Sequence, residues 1–420
     1  MHKLKVLMFG WEFPPFMSGG LGTACYGLTK GLTNKNVEVT FVMPNGPEDM
    51  KAEFVKLLIA SNLYKYNLKV KKIDTLLKPY LSDAQYKEEY DNYMKLLEKR
   101  GGDSSKILYG KNIHDEVYRL SLAARMIAET EDFDIIHCHD WMTFPAGIEA
   151  KKVSGKPLVV QVHATEYDRT GGNSINDYVY GIERSGMEFA DRVIAVSYFT
   201  KEKIMEHYGI PADKIVVVHN AVEFSDEKKF DIKKHEKVVL FLGRLTLQKG
   251  PDYFVEAAKR VLDYDPDVKF IIAGTGDMEA RLVDRVAQLG IGNKVLFAGF
   301  VNGHDVDKAY QAADLYVMPS VSEPFGITPL EALRNNVPVI ISKQSGVSEV
   351  LKHALKVDFW DIDELANKII SVLNYRSLHH ELSKHGSMEV HTFSWNIPAQ
   401  KCIDMYNTVL HEKYHGIKAT

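Results

Sequence analysis

Short apolar runs recur along the chain, each separated from the next by amphipathic or polar sequence. That is the rhythm of buried parallel strands alternating with helices. Near the start, the runs Leu4 to Phe9 and Val37 to Met43 flank a Gly-rich turn and a helical stretch reaching about Leu32, which predicts a βαβ unit. A helix over Ile113 to Glu129 follows, then strands at Ile135-Ile136, Leu158 to Val162, Val193 to Val196 and Ile215 to Val218. The pattern restarts with strands at Val238 to Leu242, Phe270 to Ala273, Val295 to Ala298, Leu315 to Met318 and Val339 to Ile341.

Two stretches break the rhythm. Residues 48–110 are rich in Tyr and Lys, include the polar turn Lys99 to Ser105, and read as an insertion. Residues 223–237 are strongly charged and read as a solvated connector between two halves. The fold class is therefore α/β. Two doubly wound parallel-sheet domains, residues 1–222 and 223–394, face each other across a cleft at the carboxyl ends of their strands. Residues 395–420 form a last helix.

A chain of 420 residues accommodates two or three domains, and 45% hydrophobic with 26% charged residues is ordinary for a globular enzyme. The net charge of −4 offers no global field for nucleic acid or an anionic membrane. The opening apolar run is cut short by Trp11-Glu12, and no segment has the uninterrupted apolar length that spans a bilayer. Three cysteines, Cys25, Cys138 and Cys402, lack the spacing of a disulfide framework or a zinc site. The expectation is a cytoplasmic protein without an integral membrane segment. Composition does not set its oligomeric state.

The most specific chemistry lies in Glu323-Pro-Phe-Gly-Ile-Thr-Pro-Leu-Glu331, which follows the strand Leu315 to Met318. Thr328-Pro329 occupies the N-cap and first position of a predicted helix, so Glu323 sits on the loop and Glu331 in the first turns. A helix start offers unpaired N–H groups to a phosphate, and a carboxylate on either side can hold hydroxyls. Together these suit a sugar nucleotide, although a solvated loop acid beside a helix-dipole acid produces the same pattern. Arg244 and Lys249 leave the carboxyl end of the strand Val238 to Leu242, where open α/β sheets bind ligands. Arg presents a fork to phosphate oxygens and Lys a mobile charge.

With Gly19-Gly20-Leu21-Gly22, His163, Gly243-Arg244 and Lys249-Gly250, and Glu323 through Glu331, the chain resembles the retaining GT-B glycosyltransferases, the group that includes glycogen, starch and sucrose synthases. Phe393-Ser394-Trp395, followed by a helix with Tyr406, resembles the closing segment of glycogen and starch synthases. The likeness runs in order along nearly the whole chain. It implies a GT-B fold of two Rossmann-like domains, with the last helix crossing back onto the first. It also implies transfer of glucose, with retention, from a nucleoside-diphosphate-glucose to the non-reducing end of an α-1,4-glucan. Transfer to a small acceptor, as in sucrose or trehalose synthesis or to a lipid-linked sugar, shares every donor motif, and a sugar-nucleotide epimerase shares the frame.

The resemblance carries roles onto single residues. His163, Arg244, Lys249 and Glu323 are the expected catalytic groups. The donor side adds Gly19, Gly20, Gly22, Gly274, Val301, Phe325, Gly326, Ile327, Thr328 and Glu331, with Glu331 on the ribose. Asp140, Trp141 and Tyr167 are expected to bind the acceptor. The glycine cluster lacks the third Gly and the acidic partner of a dinucleotide site. Met17 stands where starch and bacterial glycogen synthases have a Lys, and those with adenosine donors commonly lack a Glu at the position of Glu331, so UDP-glucose is slightly favoured over ADP-glucose. His137 and His139 alternate onto one strand face, which raises a metal site, but no third ligand is evident in the sequence. No metal and no cofactor are expected.

Overall fold

The computed structural model describes residues 3–14, 19–44, 54–60, 113–224, 230, 236–301 and 303–416. Met17, most of the expected insertion and most of the charged connector lie outside the described residues.

The chain builds two parallel sheets. In the first, β1 (Lys5–Phe9), β2 (Glu38–Met43), β3 (Lys56–Ile59), β4 (Ile135–His139), β5 (Leu158–Val162), β6 (Arg192–Ala195) and β7 (Ile215–Val217) are ordered β3-β2-β1-β4-β5-β6-β7. The second is ordered β10-β9-β8-β11-β12-β13. Its strands are β8 (Lys237–Leu242), β9 (Val268–Ala273), β10 (Val295–Gly299), β11 (Leu315–Met318), β12 (Val339–Ser342) and β13 (Leu355–Val357). Helices cover both faces of each, so the central strands β4, β5 and β11 are buried at every position. That double burial is why they read as continuous apolar runs rather than alternating ones.

Each sheet reverses its strand order once, between β1 and β4 and between β8 and β11. Loops leaving those strands diverge to opposite faces and open a crevice, the usual ligand position in such sheets. Two strands depart from the expected pattern. β3 lies inside the segment expected to be an insertion and pairs with β2, from Thr40 opposite Lys56 to Met43 opposite Ile59. Its flanking Tyr- and Lys-rich sequence hides it. β13 is three residues long and offers too little periodicity to be seen.

The chain crosses to the second domain near Val222 and returns near Phe393, and the two crossings touch: the Val222 amide donates to the Phe393 carbonyl at 3.3 Å. The final helix, Asn396–His415, then packs on the first domain against the helix Gly20–Asn34. Gly27 permits this approach, since a Cβ there would lie 2.2 Å from the Trp395 indole. Further along, the Tyr406 hydroxyl meets His137 Nδ1 at 2.6 Å, and Arg192 donates twice to the Glu412 carboxylate, at 2.6 and 2.8 Å.

Candidate functional site

In the second domain, Arg244 and Lys249 leave the end of β8, and Glu323 follows β11, so the two strands that flank the reversal supply all three groups. Lys249 Nζ lies 2.5 Å from Glu323 Oε2, and Ser320 donates to the same oxygen at 3.2 Å. Glu323 is 6% exposed, so the ion pair sits where water competes little and Coulomb attraction is strong. Arg244 reaches Gln248 Oε1 at 3.3 Å. Gln248 is buried, and its carbonyl accepts the amides of Val321 and Ser322, which ties the Arg244 loop to the Glu323 loop.

Gly274 shapes the neighbouring loop. Its φ is +144°, and a Cβ would lie 1.8 Å from the Gly243 carbonyl oxygen, so only glycine lets these two loops close on each other. Val301 is half-buried just past β10.

The helix beyond Glu323 spans Thr328–Arg334. Ile327 stands at its N-cap, and the Thr328 side chain does not cap it, contrary to the sequence expectation. Instead the Thr328 hydroxyl accepts from the Tyr316 hydroxyl at 2.8 Å. A Pro at the second helical position shifts the start by one residue without loss, since the first-turn amides are unpaired in any case. Phe325 and Gly326 are buried in the turn before it, Gly326 at φ +98°. Glu331 accepts from the Tyr310 hydroxyl at 3.1 Å. Burial raises its carboxyl above the ordinary range, against the opposing pull of Arg334 and Tyr310.

Across the crevice, His163 directly follows β5 and is half-buried. Asp140, in the left-handed region at φ +60°, accepts the His163 and Ala164 amides at 2.7 and 3.3 Å. Non-glycine residues held there cost free energy and persist where the surroundings impose them. His139 Nδ1 is 3.0 Å from His163 Nε2, and the rings of His137 and His139 stack at 4.4 Å. Burial lowers all three imidazole pKa values: His137 to about 3, His139 well below its usual range, and His163 less, because Asp140 opposes the shift. At neutral pH the ladder is uncharged.

The remaining expected residues differ in exposure, from buried Trp141 to exposed Gly19 and Gly20. Trp141 is 7% exposed and lies near His114. Tyr167 stacks on His207 with centroids 3.9 Å apart and meets Tyr180 and Tyr208 edge-on. Gly19 and Gly20 open the helix Gly20–Asn34 with open space at their Cβ positions, whereas the Gly22 amide already donates to Glu12 at 3.2 Å.

The structure adds groups with no sequence signal. Asp168 is fully buried, and its Oδ1 accepts from Lys203 at 2.8 Å and from Ser322 at 2.5 Å. One carboxylate of the first domain thus grips the residue beside Glu323. Glu349, from the second domain, accepts the amides of Tyr198 and Phe199 at 3.0 and 2.6 Å and faces His219 at 3.0 Å. Ser197 donates to the Pro324 carbonyl at 2.5 Å. Motif spacing could not reveal these links, because all but the Asp168–Lys203 pair join residues more than a hundred positions apart.

Glu349 makes this contact between the two domains sensitive to acid. Burial opposes its charge, but His219 and the amides of Phe199 and Tyr198 outweigh it and hold the carboxyl below its ordinary 4.5. A depressed folded pKa contributes stability above the unfolded value and loses it as pH falls through the folded one. Wild-type melting temperature should therefore drop more steeply below pH 4.5 than that of Glu349→Gln. Parallel curves in thermal melts from about pH 7 to about pH 3.5 would remove Glu349 from this role.

A family model described as Glycosyl transferases group 1 matches residues 222–388, and one described as Glycosyltransferase Family 4 matches residues 95–226. An uncharacterized glycosyltransferase of Methanocaldococcus jannaschii is 31% identical, covering 97% of this chain and 99% of its own. A glycogen synthase of Mycobacterium tuberculosis is 23% identical over 83% of this chain and 80% of its own. Among solved structures, sucrose-phosphate synthase from Thermosynechococcus elongatus superimposes with a TM-score of 0.73 at 17% identity, covering 96% of this chain and 98% of that one. That likeness concerns the fold and establishes the GT-B arrangement of two facing Rossmann-like domains. No helix among the described residues is long and apolar enough to cross a membrane.

Proposed function

The chain belongs to the glycosyltransferases of the group 1 and family 4 type, and from that premise we propose that it moves glucose from a nucleoside-diphosphate-glucose to the non-reducing end of an α-1,4-glucan, with retention. The observation that carries this reading is the meeting of Arg244, Lys249 and Glu323 at the strand reversal of the second sheet, facing the loop of His163.

In this reading the diphosphate lies against Arg244 and Lys249. Its arrival gives Lys249 a second anionic partner and loosens the pair with Glu323, whose carboxylate then takes sugar hydroxyls and orients the ring. Negative charge grows on the diphosphate as the glycosidic carbon leaves it, and fixed cations in a closed crevice stabilise that charge without reorganising. A nucleotide is an acidic leaving group, so it needs charge stabilisation more than a proton, and the protein cations do what a divalent metal does elsewhere. Glu331 binds the ribose hydroxyls. A departing phosphate oxygen takes the acceptor proton if attack comes from the same face, and neutral His163 lines the sugar site. The uridine nucleotide is the favoured donor.

Transfer to a small acceptor is the second reading, favoured by the burial of Trp141 and by the stacking of Tyr167 on His207, which occupies one face of that ring. Radiolabelled UDP-glucose and ADP-glucose, each offered with glycogen, maltooligosaccharide, fructose 6-phosphate or glucose 6-phosphate, separate the two. Label in polymer that an α-1,4-specific hydrolase releases is the expected result. Label confined to a sugar phosphate would replace the glucan reading by the small-acceptor one, and hydrolysis without any acceptor product would defeat both.

A further inference from the structure

Cys25 lies more than a hundred residues before His139 and His163, yet one ligand atom of each falls within 4.8 Å of the other two. Cys25 and His139 are fully buried, while His163 is half-buried. We propose that these three side chains form a binding site for one soft divalent cation of the zinc type, and that its occupancy turns transfer off by taking the His163 imidazole. The inhibitory half rests on the transferase reading; the binding half does not.

Geometry and ligand chemistry both support the site. Zinc bonds of about 2.0 to 2.3 Å in a tetrahedron place neighbouring ligand atoms roughly 3.3 to 3.7 Å apart. The two imidazole nitrogens, now 3.0 Å apart, need only part by a few tenths of an ångström. The sulfur needs to move in by up to about 1 Å. His139 Nε2, the ring nitrogen that does not meet His163, is buried without a hydrogen-bond partner among the described residues, so no hydrogen bond there fixes the ring. One thiolate with two imidazoles selects zinc, cobalt(II) or copper over magnesium or calcium. Three protein ligands leave the fourth position to water from the crevice, the pattern of an exchangeable ion rather than a closed structural one.

The surroundings favour a cation as well. Burial pushes the Cys25 thiol well above its ordinary range and the charges of Asp140 and Glu12 add to that shift, while the same two charges attract an ion at its sulfur. Binding breaks the Cys25 S–H bond, forms a sulfur–metal bond and releases one proton to solvent. The two neutral imidazoles donate lone pairs, and nothing is oxidised or reduced.

The test uses the full, tag-free chain under a metal-free reductant. After equilibration with zinc and gel filtration, elemental analysis should find about one zinc per chain. Magnesium should not be retained. Cobalt(II) in place of zinc should produce a thiolate-to-cobalt charge-transfer band. Cys25→Ser and Cys25→Ala should lose the band and at least ~10-fold in zinc affinity, while Cys402→Ser, buried elsewhere, keeps both. Thermal melts check that each variant is folded. A wild type with no band, or a Cys25→Ala chain that binds zinc equally, overturns the site. Site-saturating zinc should stop transfer by the wild type and spare Cys25→Ala, whose activity without metal is unchanged. Equal inhibition of both would overturn the switch while leaving the metal-content result standing.

Discussion

Lys249→Ala is expected to cut turnover about 10²–10³-fold, with Arg244→Ala close behind, because each removes a fixed positive charge from the place where leaving-group charge develops. The two losses should differ in character. Lys249 is held 2.5 Å from Glu323 in a site that is 6% exposed on the carboxylate side, so its removal also strands a buried acid. Breaking one partner of such a pair costs more than the pair contributes. A double-mutant cycle with Glu323→Gln separates the effects: the coupling between Lys249 and Glu323 should be strong in turnover, whereas Arg244 and Glu323 should combine closer to additively. Rates measured at saturating donor, with melting curves to confirm folding, decide the matter. Wild-type kinetics in both single variants would end the assignment of these cations to the diphosphate.

Trp395→Ala is expected to destabilise the first domain by about 3–5 kcal/mol, the usual cost of deleting a large buried aromatic side chain. Trp395 is nearly buried, and its indole covers Gly27, where a Cβ would lie 2.2 Å from the ring. It anchors the start of the helix Asn396–His415, which continues to the Tyr406–His137 contact under the histidine ladder. Deleting it leaves a cavity bounded by two helix backbones that cannot collapse freely. At roughly 2–4 °C per kcal/mol for a domain of this size, the melting temperature should fall by roughly 6–20 °C. Limited proteolysis should then cut within 396–415 first. An unchanged melt and cleavage pattern would mean that the last helix is held by other contacts.

The two predictions draw on different levels of the molecule. Most of the strands were legible from local sequence, because a central parallel strand is apolar on both faces: Leu158–Val162 and Leu315–Met318 fall where the apolar runs are. The positions of Arg244, Lys249, Glu323 and Glu331 on loops and a helix start were legible for a similar reason, since glycine and proline mark chain reversals. Thr328 shows the limit of that reasoning. Its side chain could cap the helix or bond to Tyr316, and only the location of Tyr316 on β11 selects the latter.

By itself, then, the order of residues determined an α/β chain in two halves, the strands that build them and the loops that carry the charged groups, all of which depend on neighbours a few positions away. Tertiary structure alone decided which of those groups meet. It set Lys249 against Glu323, used Asp168 and Glu349 to join the halves, placed β3 at a sheet edge and brought Cys25 to His139 and His163. The physical reason is that a buried ion pair or ligand cluster is stabilised by distance in space, through Coulomb attraction and excluded water, and distance in space leaves no periodic trace along the chain.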